Sequence, residues 1–126
     1  MAVTYATTLK TDRMTNIITR LDAQAGNAIL KIGTTGMAAT LVSITLAKPS
    51  ATVSGGVLTF SGLPKSATAS GAGTAAAAQL TDSVGTVWVD GLTVGVGGGF
   101  NVNIDNTAIS LSQTVNFNAT STITHG

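Results

Sequence analysis

Beyond Gly26 the sequence is a succession of short β-type runs broken by turn residues, and this punctuation leaves little room for anything but sheet. Runs of four to eight residues are too short for ordinary helices, and the glycines and prolines between them supply the backbone conformations that reverse a chain. Residues 28–32 and 41–47 are the first two runs, bridged by Gly33-Thr34-Thr35-Gly36. Lys48-Pro49-Ser50 then forces a break, because proline has no amide donor and fixes its own φ. Residues 56–61 follow, with Ser54-Gly55-Gly56 before them and Gly62-Leu63-Pro64 after. The Ala/Ser/Thr/Gly stretch at 66–78 has the composition of a linker, but its end is too apolar for one, and residues 75–80 read as a strand despite the poor β propensity of alanine.

Asp82-Ser83-Val84-Gly85 reads as a hairpin turn returning through residues 86–89, and Asp90-Gly91 as the next turn, before a strand at 92–96. Phe100, Val102 and Ile104 alternate with Asn101, Asn103 and Asp105, giving one apolar and one polar face. The last run repeats the pattern, with Val115, Phe117, Ala119 and Ile123 inward, Asn116, Asn118 and Thr120 outward, and a short strand at 109–111 before it. Eight or so strands after one helix predict a mainly β fold, an antiparallel β-sandwich of jelly-roll type, with residues 1–126 forming a single domain.

The helix is the exception at the start. Met14, Ile17, Ile18, Leu21 and Ala25 recur at the spacing of one helical face, while Arg13, Asn16, Arg20 and Gln24 fall largely elsewhere. The spacing predicts a helix over residues 8–25, capped by Thr8 or Thr11 and ended by Gly26.

Charge is scarce: 9% of residues are charged against 44% hydrophobic, and the net charge is +1. With threonine at about one position in six, this composition belongs to a folded, β-rich chain and not to a disordered one. Much of the apolar fraction is alanine and only 4% of residues are aromatic, so the interior gains less from burial than a core of leucine and phenylalanine would. Burial against other chains is therefore expected, and few charges oppose it. The charges are also divided, with Lys10, Arg13, Arg20, Lys31, Lys48 and Lys65 in the first half and Asp82, Asp90 and Asp105 in the second, an arrangement that suits head-to-tail contacts between copies, although charges so thinly spaced more often serve only solubility. Basic residues so sparse, without interleaved aromatics, give no nucleic-acid footprint. No apolar run approaches the length needed to span a membrane.

The groups that perform catalysis are nearly absent, with one histidine, no cysteine and no glutamate. His125 sits next to the C-terminal residue, a poor place to position a base. Gly95-Val96-Gly97-Gly98-Gly99 lacks the lysine and the following helix of a phosphate loop, and reads as a hairpin loop or bulge. Asn101, Asn103 and Asp105 share a strand face, but neither the glycine nor the closing glutamate of a calcium loop is present, so a solvated polar face is expected. Asp82 and Asp90 are explained as turn residues, and Trp88 as a core or interface anchor. No catalytic residue, cofactor or metal site is expected, and the chain does not read as an enzyme.

Thr7-Thr8-Leu9-Lys10-x-x-Arg13-Met14 at the opening of the helix, Ile29-Leu30-Lys31-Ile32-Gly33 after it, and an Ala/Gly-rich β chain ending in alternating Thr and Asn together resemble the small structural proteins of tailed bacteriophages. The likeness is strongest to capsid cement or decoration proteins. It implies a β-sandwich or jelly-roll subunit, a dimer or trimer, made in the cytoplasm of a bacterial host. Such a subunit binds the major capsid protein or other virion subunits on the outer capsid surface, between capsomers. A tail, fibre or head–tail connector subunit is the alternative within the same class, and a carbohydrate-binding module that adheres through Trp88 is the alternative outside it. Lys10, Arg13 and Arg20, on the polar face of the helix, are the residues expected to contact the shell or a sister copy.

Overall fold

A computed structural model of the chain describes residues 5–61, 65–96, 100–117 and 122–124. Helix α1 spans Thr7–Leu21. Met14 and Leu21, two turns apart, are buried, and Ile17 and Ile18 pack against the same core from partly buried positions. Its start differs from the expected one: Ala6 is the N-cap residue and no side chain caps it. Thr11 instead accepts a hydrogen bond from the Gly56 amide at 3.0 Å, which ties the helix to a distant turn.

The helix ends at Leu21 and not at Ala25 because the following residues are claimed by tertiary contacts. Asp22 closes the last turn onto the Ile18 carbonyl at 2.9 Å, and its carboxylate accepts from the Ser50 amide at 3.0 Å. Lys48 reaches the Gln24 carbonyl at 2.6 Å. Gly26 is needed for a close approach, since a Cβ there would lie 2.7 Å from the Ser83 Cβ.

The strands are β1 (Ile29–Gly33), β2 (Thr40–Thr45), β3 (Ala51–Ser54), β4 (Val57–Phe60), β5 (Lys65–Thr68), β6 (Gly73–Thr74), β7 (Ala77–Thr81), β8 (Val87–Val96), β9 (Val102–Ile104), β10 (Ala108–Ile109), β11 (Thr114–Phe117) and β12 (Thr122–Thr124). The fold is mainly β with one short N-terminal helix, as the sequence predicts. Seven strands form one sheet in the order β2-β1-β7-β8-β9-β11-β5. Just beyond β5, the Ser70 and Gly71 amides both donate to the Leu41 carbonyl of β2, at 2.8 and 3.1 Å, so the sheet is curled until its two ends meet. Near-closure of this kind leaves few open edges for another chain to extend. A three-stranded sheet, β12-β4-β3, and a small β10-β6 pair complete the described strands.

The interior follows strand alternation. Leu30 stands opposite Ile44 on one side and Leu80 on the other, and Ile32 stands opposite Val42 and Ala78. All six are fully buried. The alanine-rich run is thus a central strand whose small side chains fill the space left by larger neighbours, and packing overrides its weak propensity. Phe60 of β4 and Phe117 of β11 meet edge to face at 5.1 Å and 66°, joining the three-stranded sheet to the seven-stranded one.

Several features depart from the expected strand plan: β5 and β6 lie in the stretch read as a strand only at 75–80, and the short strand expected at 109–111 is β10, Ala108–Ile109. Strand β3, for which the sequence carries no clear run, pairs with β4 through the turn at Gly55 and Gly56, whose φ values of 59° and 79° suit a two-glycine hairpin loop. Asp90-Gly91 is not a turn: β8 runs through it, and Gly91, at φ 71°, lies where the pairing with β7 shifts register. It is a bulge. Finally, β8 and β9 are parallel, with Val94 beside Val102 and Val96 beside Ile104, whereas every other described pairing is antiparallel. The glycine-rich run therefore does not close a hairpin. Gly95 is required because the Phe100 ring lies where its Cβ would stand. Residues 97–99 of that run, the 62–64 turn, residues 118–120 of the last alternation and His125 lie outside the described residues.

Candidate functional site

On α1, Arg13, Asn16, Ile17 and Arg20 fall at the i, i+3, i+4 and i+7 positions of one flank, beside the stripe that Met14 and Leu21 bury. Trp88 of β8 faces this flank, and the five side chains line a cavity of about 220 Å³. The Arg20 guanidinium lies over the Trp88 ring at 5.4 Å from its centre, and the Arg13 guanidinium lies over the Tyr5 ring at 4.5 Å. Both distances fall within the range in which a ring's quadrupole attracts a cation.

The hairpin between β7 and β8 fixes the indole. Asp82 is buried, and one of its carboxylate oxygens accepts from the Val84 and Thr86 amides at 3.1 and 3.0 Å. The other accepts from Trp88 Nε1 at 3.1 Å. Burial alone raises the pKa of this carboxyl. Donation by Trp88 and by the Thr86, Val84 and Gly85 amides outweighs it and holds the pKa below its ordinary value. The turn therefore contains an ionised anchor whose role is to orient a tryptophan that remains 43% exposed. Val84 and Val87, on the same hairpin, are 69% and 45% exposed.

Of the residues that the sequence points to, Arg13 and Arg20 are brought together around one cavity. Lys10 is not part of it: its half-buried stem packs against Gly56, where a Cβ would stand 2.9 Å from the Lys10 Cβ. Asn16, Ile17 and Trp88 complete the site. The helical spacing of Arg13, Asn16, Ile17 and Arg20 is visible in the sequence, but the meeting of that flank with Trp88 is a tertiary contact.

The polar residues expected on a solvated face divide. Asn103 is buried, and its side chain brackets Phe100, accepting from its amide at 3.3 Å and donating to its carbonyl at 3.1 Å. It is a structural residue, not a surface one. Asn101 bonds across to Thr93, whose amide donates to the Asn101 Oδ1 at 3.1 Å. Asp105 accepts from the Asn116 side chain at 2.8 Å and its amide at 3.2 Å. Burial raises the Asp105 pKa, and the Asn116 side chain and amide, with the Asp105 and Asn106 amides, bring it below the ordinary value. The carboxylates do not converge: Asp82 is bound within its own turn, and Asp90 accepts from the Gly91 amide at 2.8 Å. Among the described residues, no group of three or more histidine, cysteine or acidic side chains is placed to hold a metal ion. No helix in the same residues is long and apolar enough to cross a membrane.

Comparison with protein-family models, with curated proteins and with solved structures finds no match to this chain.

Proposed function

We propose that this chain is a non-enzymatic structural subunit of a bacteriophage virion, a cement or decoration protein that stabilises the mature shell by binding between capsomers. The observation that carries the docking role is the half-exposed Trp88, fixed by Asp82 beneath it and flanked by Arg13 and Arg20 across an open cavity. Tryptophan and arginine are among the residues most enriched where protein interfaces concentrate their binding energy. Orientation before binding lowers the entropy lost on association.

The choice of a virion partner rests on the sequence resemblance and on composition. A subunit with 9% charged residues and a surface of threonine, serine, asparagine and small side chains suits extended contacts repeated over a lattice. The action is thermodynamic: a subunit that binds the assembled shell and not its free components shifts stability toward the shell by mass action. Many modest contacts then act together.

The test is electron cryo-microscopy of the particle encoded with this chain, with mass spectrometry of its proteins. Density over the shell at two-fold or three-fold axes supports a cement protein. Density confined to the tail or to one vertex moves the chain to the tail, fibre or connector class, and absence from particles refutes a virion role.

A further inference from the structure

We infer that the cavity between α1 and Trp88 receives an extended acidic segment of another protein, with an apolar side chain entering against Ile17 and the indole and carboxylates on either side bound by Arg13 and Arg20. The inference rests on the proposed assembly role and adds the chemistry of what is docked. At about 220 Å³ the cavity is smaller than the roughly 300–1,000 Å³ of small-molecule sites, and it is matched to one or two side chains.

Charge selects the occupant. Two of the five lining residues are arginines, one is an amide, two are apolar, and none is acidic. Arg13 and Arg20 are separated by two helical turns, about 10 Å along the axis at 1.5 Å per residue. An apolar side chain and the carboxylates two residues to either side of it share one face of an extended strand, with the carboxylates about 13 Å apart, a distance that side chains as long as these span. Guanidinium groups offer carboxylates paired donors, and both are already stacked on aromatic rings, Arg13 on Tyr5 and Arg20 on Trp88. The nearby Asp82 is directed into its own turn, where its oxygens accept from the Val84 and Thr86 amides and from Trp88. A nucleic acid is the less favoured partner: two arginines neutralise about two phosphates, and exposed Val84 and Val87 on the same hairpin offer apolar surface instead.

Trp88 is the only tryptophan in the chain, so its emission reports directly on the cavity. The probe is a blocked peptide with an aspartate two residues to either side of a leucine and serine at the remaining positions, titrated into the full chain at low salt, with the asparagine analogue of that peptide and oligothymidylate as competitors. A saturable change in emission is expected with the acidic peptide, weakened about tenfold in Arg13→Ala/Arg20→Ala and unchanged in Lys31→Ala, with circular dichroism confirming that each variant is folded. Equal binding of the asparagine analogue, tighter binding of oligothymidylate, no saturation, or no effect of the double substitution overturns the inference. Particle loading separates the two readings. Particles that take up the double variant as well as the natural chain overturn this inference and leave the virion role standing. Peptide binding by a chain absent from particles does the reverse.

Discussion

Phe117→Ala removes the largest fully buried side chain, at the junction of the two main sheets. Phe117 pairs with Lys65 of β5 and Ile104 of β9 in the seven-stranded sheet, and its ring meets Phe60 of the three-stranded one. Burying a phenylalanine and then truncating it costs about 3–5 kcal/mol, a figure that includes the cavity left behind. A domain of this length has a total stability of about 6–19 kcal/mol, and an alanine-rich interior places this one toward the lower end. At a urea dependence of about 2 kcal/mol per molar, the midpoint falls by about 1.5–2.5 M. Phe117→Leu retains most of the volume but loses the edge-to-face contact, so it is expected to lose about 1–2 kcal/mol. Urea unfolding at neutral pH, followed by far-ultraviolet circular dichroism and by Trp88 emission, measures both. A loss below about 1 kcal/mol for Phe117→Ala refutes the assignment of the core to this junction. Separate transitions for the two signals in the natural chain refute the claim that the sheets are joined through it.

Other substitutions probe the remaining joints. Because the Asp82 pKa in the folded state lies below its ordinary value of about 3.9, the ionised carboxylate favours folding above that value, and its contribution disappears as pH falls through the folded-state pKa. Thermal stability and Trp88 emission are therefore expected to hold from neutral pH down to about 4 and to fall below it. Asp82→Asn should lower stability at neutral pH and flatten that acid step, and an unchanged step would show that another carboxyl is responsible. Gly33→Ala places a methyl group against the Ala39 carbonyl oxygen and the Met37 side chain, and is expected to cost about 1–3 kcal/mol in urea unfolding. Neutral behaviour would mean that the loop between β1 and β2 yields. Asn103→Ala frees the Phe100 amide and carbonyl and is expected to cost about 1–2 kcal/mol, with faster hydrogen exchange at the Phe100 amide. Unaltered exchange there would refute the bracing role of Asn103.

The fold class was legible without any tertiary contact, because turn chemistry and alternation are local. Glycine and proline mark where a strand must stop, and the period of the apolar residues distinguishes α1 from everything after it. The sequence also showed which residues share a helix flank, so Arg13 and Arg20 were legible as neighbours while the detachment of Lys10 to Gly56 was not. Where tertiary contacts compete with local preference, only the folded chain decides. Asp22 ends α1 by binding Ser50, a residue whose nearness no local pattern reveals. Asp90-Gly91 has the composition of a turn but becomes a bulge, because β7 offers a partner on both sides of it. Asn103 alternates like a surface residue and is buried, because β9 lies parallel to β8 and Phe100 must be held over Gly95. Alternation assigns a residue to one face of a strand, but only the strands packed around it decide whether that face meets water.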